Sequence, residues 1–350
     1  MSGDRPDVLL LSLGTTLGWV VGDVLLVEQL RRAGVSVEPV SVRIGASGRL
    51  RRAYPVTDLV EATAARRALA AALDRSSPRA VVISTTTAAM LADTRGLPYA
   101  VRLDAPARLN RPGPQNAALH ALERRALARA RVVLPWSQAA AAALPRGHAP
   151  AVVVPAPVER SGESPWKRER LAVAYTPDVK AKGLDIVCGA WAAARLGDAR
   201  LEVFGVESEP AMAHLRRTGT PLPAGVEFRG KAPPDEFRAA LRRSRVLAGG
   251  ARWEDYGQAP LEALADGALL ATVPSGGPFE ALALARELAP ELVAEAVDPD
   301  ALAVALRAAF ELPEQRVAAY RQHASRLLER FRPDAIARTI AAQVVPALLA

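Results

Sequence analysis

At 350 residues, half apolar and 23% charged, the chain is long for one core and reads as two globular domains rather than a disordered polymer. Its net charge of +8 admits anionic ligands, but only four of the 45 basic residues are lysines, so arginine usage along the chain explains the surplus better than a nucleic-acid-binding patch. The single cysteine, Cys188, excludes an internal disulfide, four scattered histidines argue against a zinc cluster, and no apolar run reaches the roughly 18–20 residues of a membrane span.

The chain opens on Asp7–Leu13, a continuous apolar run of buried parallel-strand type followed by a glycine turn and a helix, which is unlike a secretion signal. The cytoplasm is therefore the expected compartment. Gly14-Thr15-Thr16-Leu17-Gly18 leads into helical spacing over Val20–Arg32 and a second strand over Val35–Val42. This is a βαβ unit, and ligands sit at the carboxyl ends of such strands. Gly14 and Gly18 let backbone approach a phosphate, but they do not form G-x-G-x-x-G. No acid closes the second strand to hold a ribose, so a nicotinamide dinucleotide site is poorly supported. The loop that follows carries Arg43, Arg49, Arg51 and Arg52. It reads as a solvated loop or as a contact for an anionic membrane surface or a phosphorylated acceptor.

The rhythm continues with a helix over Leu59–Leu73, a strand over Ala80–Ile83 that runs into Ser84–Thr87, and a strand over Tyr99–Leu103. Asp104, Arg108, Asn110 and Arg111 lie just past that last strand, where sites form. A helix over Gln115–Ala130 and strands over Val132–Leu134 and Ala151–Val154 complete the first half. Pro155–Glu169 is proline-rich and without periodicity, the best linker in the chain. Strands at Leu171–Tyr175, Arg200–Phe204, Val226–Arg229 and Val246–Ala248 then alternate with helices at Leu184–Arg195, Glu209–Arg217 and Pro234–Arg243. The final 50 residues are helical, with a break at Phe331-Arg332-Pro333. The expected domains are 1–160, 161–332 and a terminal helix over 333–350 that packs back on the first domain. Two doubly wound halves imply a cleft between facing carboxyl edges.

Three features of the second half point to chemistry. Lys180 and Lys182 stand two apart at a helix start, where ammonium groups and a helix N-terminus suit a diphosphate. Glu254 and Glu262 are separated by seven residues, the first in a polar loop and the second one turn inside the helix that opens at Gly257-Gln258. An acid at Glu262 can accept both hydroxyls of a ribose, and Glu254 can reach a sugar hydroxyl, in charged hydrogen bonds of about 1.5–3 kcal/mol each. A short strand over Ala268–Val273 and a turn at Gly276-Gly277 before Glu280 put three acids near one sheet edge.

Lys182-Gly183-Leu184-Asp185, Leu201–Gly205, Val226–Gly230, Arg252–Gly257, Leu261–Gly267 and Gly276–Glu280 together resemble, in order and spacing, the retaining glycosyltransferases of family four (glycosyl transferases group 1). The first half is similar more loosely, through Gly14–Gly18, Ser137 and Val152–Pro155. The resemblance implies an α/β GT-B fold of two Rossmann-like domains facing a cleft, and transfer of a sugar from a nucleotide diphosphate to a small-molecule, glycan or lipid-linked acceptor with retention. It implies no bound metal and no cofactor beyond the donor. Glu262 would hold the ribose, Glu254 with Tyr256, Gly257 and Gln258 the donor sugar and phosphate, and Lys182 the departing diphosphate, approached also by Gly14, Thr15 and Thr16. Members carry an arginine six residues before the lysine, where this chain has Thr176, and many present a histidine near the place of Asp104. Lys180 could replace the arginine from another angle. A catalytically weak or inactive sugar-nucleotide-binding relative is the alternative expectation. The expected location is the cytoplasm, peripheral to the inner membrane face if the arginine loop binds lipid.

Overall fold

A computed structural model describes residues 5–14, 17–44, 55–163, 165 and 168–350. The chain forms two compact units, Met1–Pro157 with Phe331–Ala350, and Val158–Arg330.

In the first unit the strands are β1 (Val8–Ser12), β2 (Val37–Ser41), β3 (Ala80–Ile83), β4 (Tyr99–Leu103) and β5 (Val132–Pro135). They lie parallel in the order β2-β1-β3-β4-β5. The helices are α1 (Leu17–Arg32), α2 (Val56–Leu73), α3 (Thr86–Ala89), α4 (Ala107–Asn110), α5 (Ala117–Arg129) and α6 (Gln138–Ala142). Residues of a strand point alternately to opposite faces, so a strand covered on both sides must be apolar throughout. β1 shows the division: Val8 and Leu10 pack with Leu26, Val27 and Leu30 of α1 on one face, while Leu9 and Leu11 pack with Leu69 of α2 and Leu127 of α5 on the other.

Ala151–Val154, expected as a sixth strand, makes only a single bridge, to Val133. Pro150 and Pro155, which lack N–H donors, bound the segment, and its backbone bonds run from Val133 to Pro150, Val152 to Val133 and Val154 to Pro135, each at 2.9 Å. Ser84–Thr87 does not extend β3: Thr85 caps α3 instead, its hydroxyl accepting the Ala88 N–H at 3.0 Å.

The second unit repeats the plan with β6 (Leu171–Tyr175), β7 (Arg200–Phe204), β8 (Val226–Gly230), β9 (Val246–Gly249) and β10 (Leu269–Thr272), parallel in the order β10-β9-β6-β7-β8. Its helices are α7 (Leu184–Ala194), α8 (Ser208–Thr218), α9 (Pro234–Arg243), α10 (Gln258–Ala265), α11 (Glu280–Leu288), α12 (Pro299–Glu311) and α13 (Glu314–Leu327). Part of the expected linker is fastened to this unit. The backbone N–H and hydroxyl of Ser161 donate to the Asp266 carboxylate at 2.8–3.0 Å, and Arg168 Nη1 donates to the Leu241 and Ser244 carbonyls at 2.8 and 2.7 Å.

After Phe331 the chain forms α14 (Pro333–Thr339), a π-helical turn over Ile340–Val344, and α15 (Val345–Leu349). Ile336, Ile340, Val344 and Leu348 complete the first unit's core against Val8, Leu10 and Leu30. Ile340→Ala should therefore cost about 2–5 kcal/mol in urea unfolding followed by a probe in the first unit; an unchanged midpoint would show that the terminal helix is not part of that core.

Candidate active site

The carboxyl edge of the second sheet is built from two loops stitched together. After β6, the Asp178 carboxylate accepts the Lys180 and Ala181 N–H groups at 3.0 and 2.8 Å, closing a turn that presents Lys180 and Lys182 before α7. After β9, the Arg252 N–H donates to the Ala181 carbonyl at 2.8 Å, and its guanidinium grips both oxygens of Asp185 at 2.9 and 2.5 Å. Asp185 also meets His214 Nε2 at 3.1 Å. Burial raises the Asp185 pKa, but the bonds from Arg252 and His214 outweigh it and hold the group below its ordinary value.

Between these loops lies the central contact. Lys182 Nζ stands 2.6 Å from Glu254 Oε1, with only 25% and 13% of the two side chains exposed. The Glu254 backbone N–H donates to the Gly276 carbonyl at 2.9 Å, so the glycine turn is an integral wall of the site. A Cβ on Gly277 would overlap the Glu254 carbonyl, and one on Gly257 would overlap the Phe279 ring, which explains both glycines at φ of +93° and +88°. Gly257 then starts α10.

Burial raises the Glu254 carboxyl above its ordinary pKa, and the Lys182 ammonium opposes the rise without cancelling it. Glu262, one turn into α10, is raised for the same reason, against the pull of Arg238 at 3.9 Å. Gln258 Nε2 donates to Glu262 at 3.3 Å, and Arg238 is held on Asp266 at 2.6 Å. Tyr256 is buried, and its carbonyl accepts the Glu280 N–H at 3.1 Å. Two withdrawn carboxylates beside an ammonium and a helix N-terminus form a polar, directional recess suited to hydroxyls and phosphate oxygens.

Lys182, Glu254, Tyr256, Gly257, Gln258 and Glu262 are thus brought together, with Lys180 exposed in the adjoining turn. Glu280, the third acid, pairs with Arg330 at 2.9 Å. Thr176, at the end of β6, is 1% exposed, and its Oγ1 meets no hydrogen-bond partner among the described residues. In the first unit, Gly14 is exposed just past β1, while Asp104 is half-buried past β4, its Oδ1 accepting the Ala105 N–H at 2.7 Å. Arg43 is exposed after β2; Thr15, Thr16, Arg49, Arg51 and Arg52 lie outside the described residues. Sequence reasoning missed Arg238 and His214, which enter the site from helices that pattern alone does not place beside it.

Among the described residues no group of three or more His, Cys, Asp or Glu is arranged to hold a metal, and no helix is long and apolar enough to cross a membrane.

Residues 160–326, nearly the whole second unit, match the family model for glycosyl transferases group 1. The second unit is a glycosyl transferases group 1 domain. No curated protein matches the chain. Among solved structures, a sucrose-phosphate synthase from Thermosynechococcus elongatus is 16% identical with a TM-score of 0.76, covering 98% of this chain and 99% of its own. A trehalose-6-phosphate protein from E. coli, bound with UDP-2-fluoro glucose, is 11% identical with a TM-score of 0.72 and the same coverage, 98% and 99%. An α,α-trehalose-phosphate synthase from Burkholderia xenovorans in complex with glucose-6-phosphate is 14% identical with a TM-score of 0.63, covering 84% and 78%. The fold over nearly the entire chain is GT-B.

Within the group 1 domain the raised Glu262 carboxyl has a measurable consequence. Folding disfavours its charged form, so its contribution is most favourable below the ordinary carboxylate range and is lost as pH rises through the folded value. Glu262→Gln should therefore melt about 2–4 °C above the parent at pH 8, with the gain shrinking toward pH 5. Scanning calorimetry across that range checks this, and a pH-independent difference would refute the desolvation of Glu262.

Proposed function

We propose that the protein transfers a sugar from a nucleoside-diphosphate sugar to a hydroxyl of an acceptor, with retention at the anomeric carbon. The observation that carries this reading is the Lys182–Glu254 contact at 2.6 Å, set beside the amino end of α10 with Glu262 one turn further in. The group 1 match over the same residues supports it.

Glu262 accepts the two ribose hydroxyls, with Gln258 and Arg238 holding its orientation. The diphosphate lies against the N–H groups at Gly257 and Gln258, where the helix dipole favours negative charge. Lys182 turns from Glu254 to the phosphate oxygens, and Lys180 adds a second charge. Glu254 then exchanges its ammonium partner for a hydroxyl of the donor sugar, so that the buried carboxylate is never left without a donor. As the bond from the anomeric carbon to phosphate breaks, negative charge grows on the diphosphate, which is where a preorganised ammonium lowers the barrier. The acceptor oxygen takes the anomeric carbon on the same face and gives its proton to the departing diphosphate oxygen. On the first unit, Gly14 and Asp104 belong to the proposed set because the family resemblance assigns them there. A small sugar, a sugar phosphate, a glycan or a lipid-linked sugar fits the acceptor role, and the glucose-6-phosphate complex of the Burkholderia xenovorans enzyme supports the second of these. No cofactor beyond the donor is proposed.

The buried Thr176 hydroxyl favours a second reading, a sugar-nucleotide-binding protein without turnover, because it supplies no cation where members of the family carry one.

A thermal-shift screen of UDP-, GDP- and ADP-sugars tests binding, since ligand at 100 times its dissociation constant stabilises by about 2.7 kcal/mol. With the donor found, Glu262→Ala should weaken its binding about tenfold or more, whereas Glu254→Ala and Lys182→Ala should reduce kcat by about a hundredfold with smaller effects on affinity. Donor binding without turnover on any acceptor would favour the second reading, and no binding of any sugar nucleotide would refute both.

A further inference from the structure

Arg238, on α9, faces two acids four residues apart, Glu262 in α10 and Asp266 at its carboxyl cap, and serves them unequally. Residues at that spacing share one side of a helix, so a single guanidinium can reach both. Arg238 Nε donates to Asp266 Oδ2 at 2.6 Å, whereas Nη1 stays 3.9 Å from Glu262 Oε1. The third corner of the fork, Nη2, donates to the Glu159 carbonyl at 2.7 Å. At 3.9 Å a guanidinium still attracts a carboxylate but makes no hydrogen bond to it. Glu262 therefore keeps lone pairs for an incoming ligand, beside the long bond from Gln258 at 3.3 Å.

The surroundings of Asp266 fix this choice. Its side chain is 0% exposed, against 22% for Glu262. The Ser161 N–H and hydroxyl donate to its carboxylate at 2.8–3.0 Å and set its orientation. Residue 266 caps the carboxyl end of α10, where the helix dipole disfavours a negative charge and burial adds to the cost. The helix itself gains nothing from an acid there. Burial raises the Glu262 carboxyl above its ordinary pKa, Arg238 pulls it down and Asp266 pushes it up, so the three groups act on one another.

The behaviour of an unheld Arg238 follows from its chemistry. A guanidinium fork matches a carboxylate with two parallel bonds. Without the Asp266 charge, Glu262 is the carboxylate that α10 still offers to it.

We infer that Asp266 is a positioning residue that holds the Arg238 guanidinium off Glu262 and so keeps the Glu262 carboxylate open to the two ribose hydroxyls of the donor. This rests on the proposed transferase reading, and Asp266 acts through Arg238 alone.

The test uses the full-length protein and whichever of UDP, GDP and ADP binds it most tightly, compared with the 2′,3′-dideoxy form of that nucleotide by isothermal titration calorimetry. The parent should prefer the ribose form about tenfold or more. Asp266→Asn keeps an acceptor for Ser161 and removes the charge. It should bind the ribose form about tenfold more weakly and the dideoxy form within about twofold of the parent. Adding Arg238→Met should restore a ribose preference of about threefold or more, a recovery that lost packing could not produce. If Asp266→Asn fails to fold, the double variant, in which both ions of the pair are gone, decides alone by that preference. A parent indifferent to the ribose hydroxyls, an undiminished preference in Asp266→Asn, equal weakening of both nucleotides, or no ribose preference in the double variant overturns this inference and leaves the transferase reading standing. A parent that binds none of the three nucleotides overturns both.

Discussion

A carboxylate taken out of water must find a cation or a hydrogen-bond donor, and the second unit is arranged around that requirement at Glu254. Lys182 answers it at 2.6 Å, and reaching that position demands everything nearby. The Asp178 turn aims the lysine, Arg252 ties the two loops, and Gly277 lets the chain pass beneath the Glu254 carbonyl. The pair is only partly compensated, since burial still holds the Glu254 carboxyl above its ordinary range. In the proposed transfer, this partly compensated pair is the one that exchanges partners for a phosphate and a sugar hydroxyl.

The first unit uses the same device for another end. Its buried pair, Arg102 on β4 with Asp23 on α1, also receives the Ser12 hydroxyl at the end of β1, so two strands and a helix meet at one carboxylate. The interior of the first sheet is otherwise aliphatic on both faces. Stability comes from the alternating apolar faces, and the polar groups spend part of it to fix geometry.

Much of the fold was legible because parallel strands buried on both faces announce themselves as short aliphatic runs. Leu171–Tyr175, Arg200–Phe204 and Ala80–Ile83 were read with the bounds that the structure gives. Ala151–Val154 has the same aliphatic look, yet it forms only a single bridge with β5, at Val133. Within the site, the residues contiguous in sequence, Tyr256 to Glu262, were readable from the glycine and the helix start. Arg238 and His214 were not, because each reaches its carboxylate partner from another helix, and no spacing rule links residue 238 to 266 or 214 to 185. The Asp23–Arg102 pair escaped for the same reason, as it joins positions 79 residues apart.

The claim at the centre is that the Lys182–Glu254 recess and the amino end of α10 receive a sugar nucleotide. Amide hydrogen exchange, followed with and without a saturating donor nucleotide sugar, reads that directly. Slower exchange confined in the second unit to the turn 180–184 and to 254–262 is the predicted result. Protection of the second unit elsewhere, with those two segments unchanged, would contradict it.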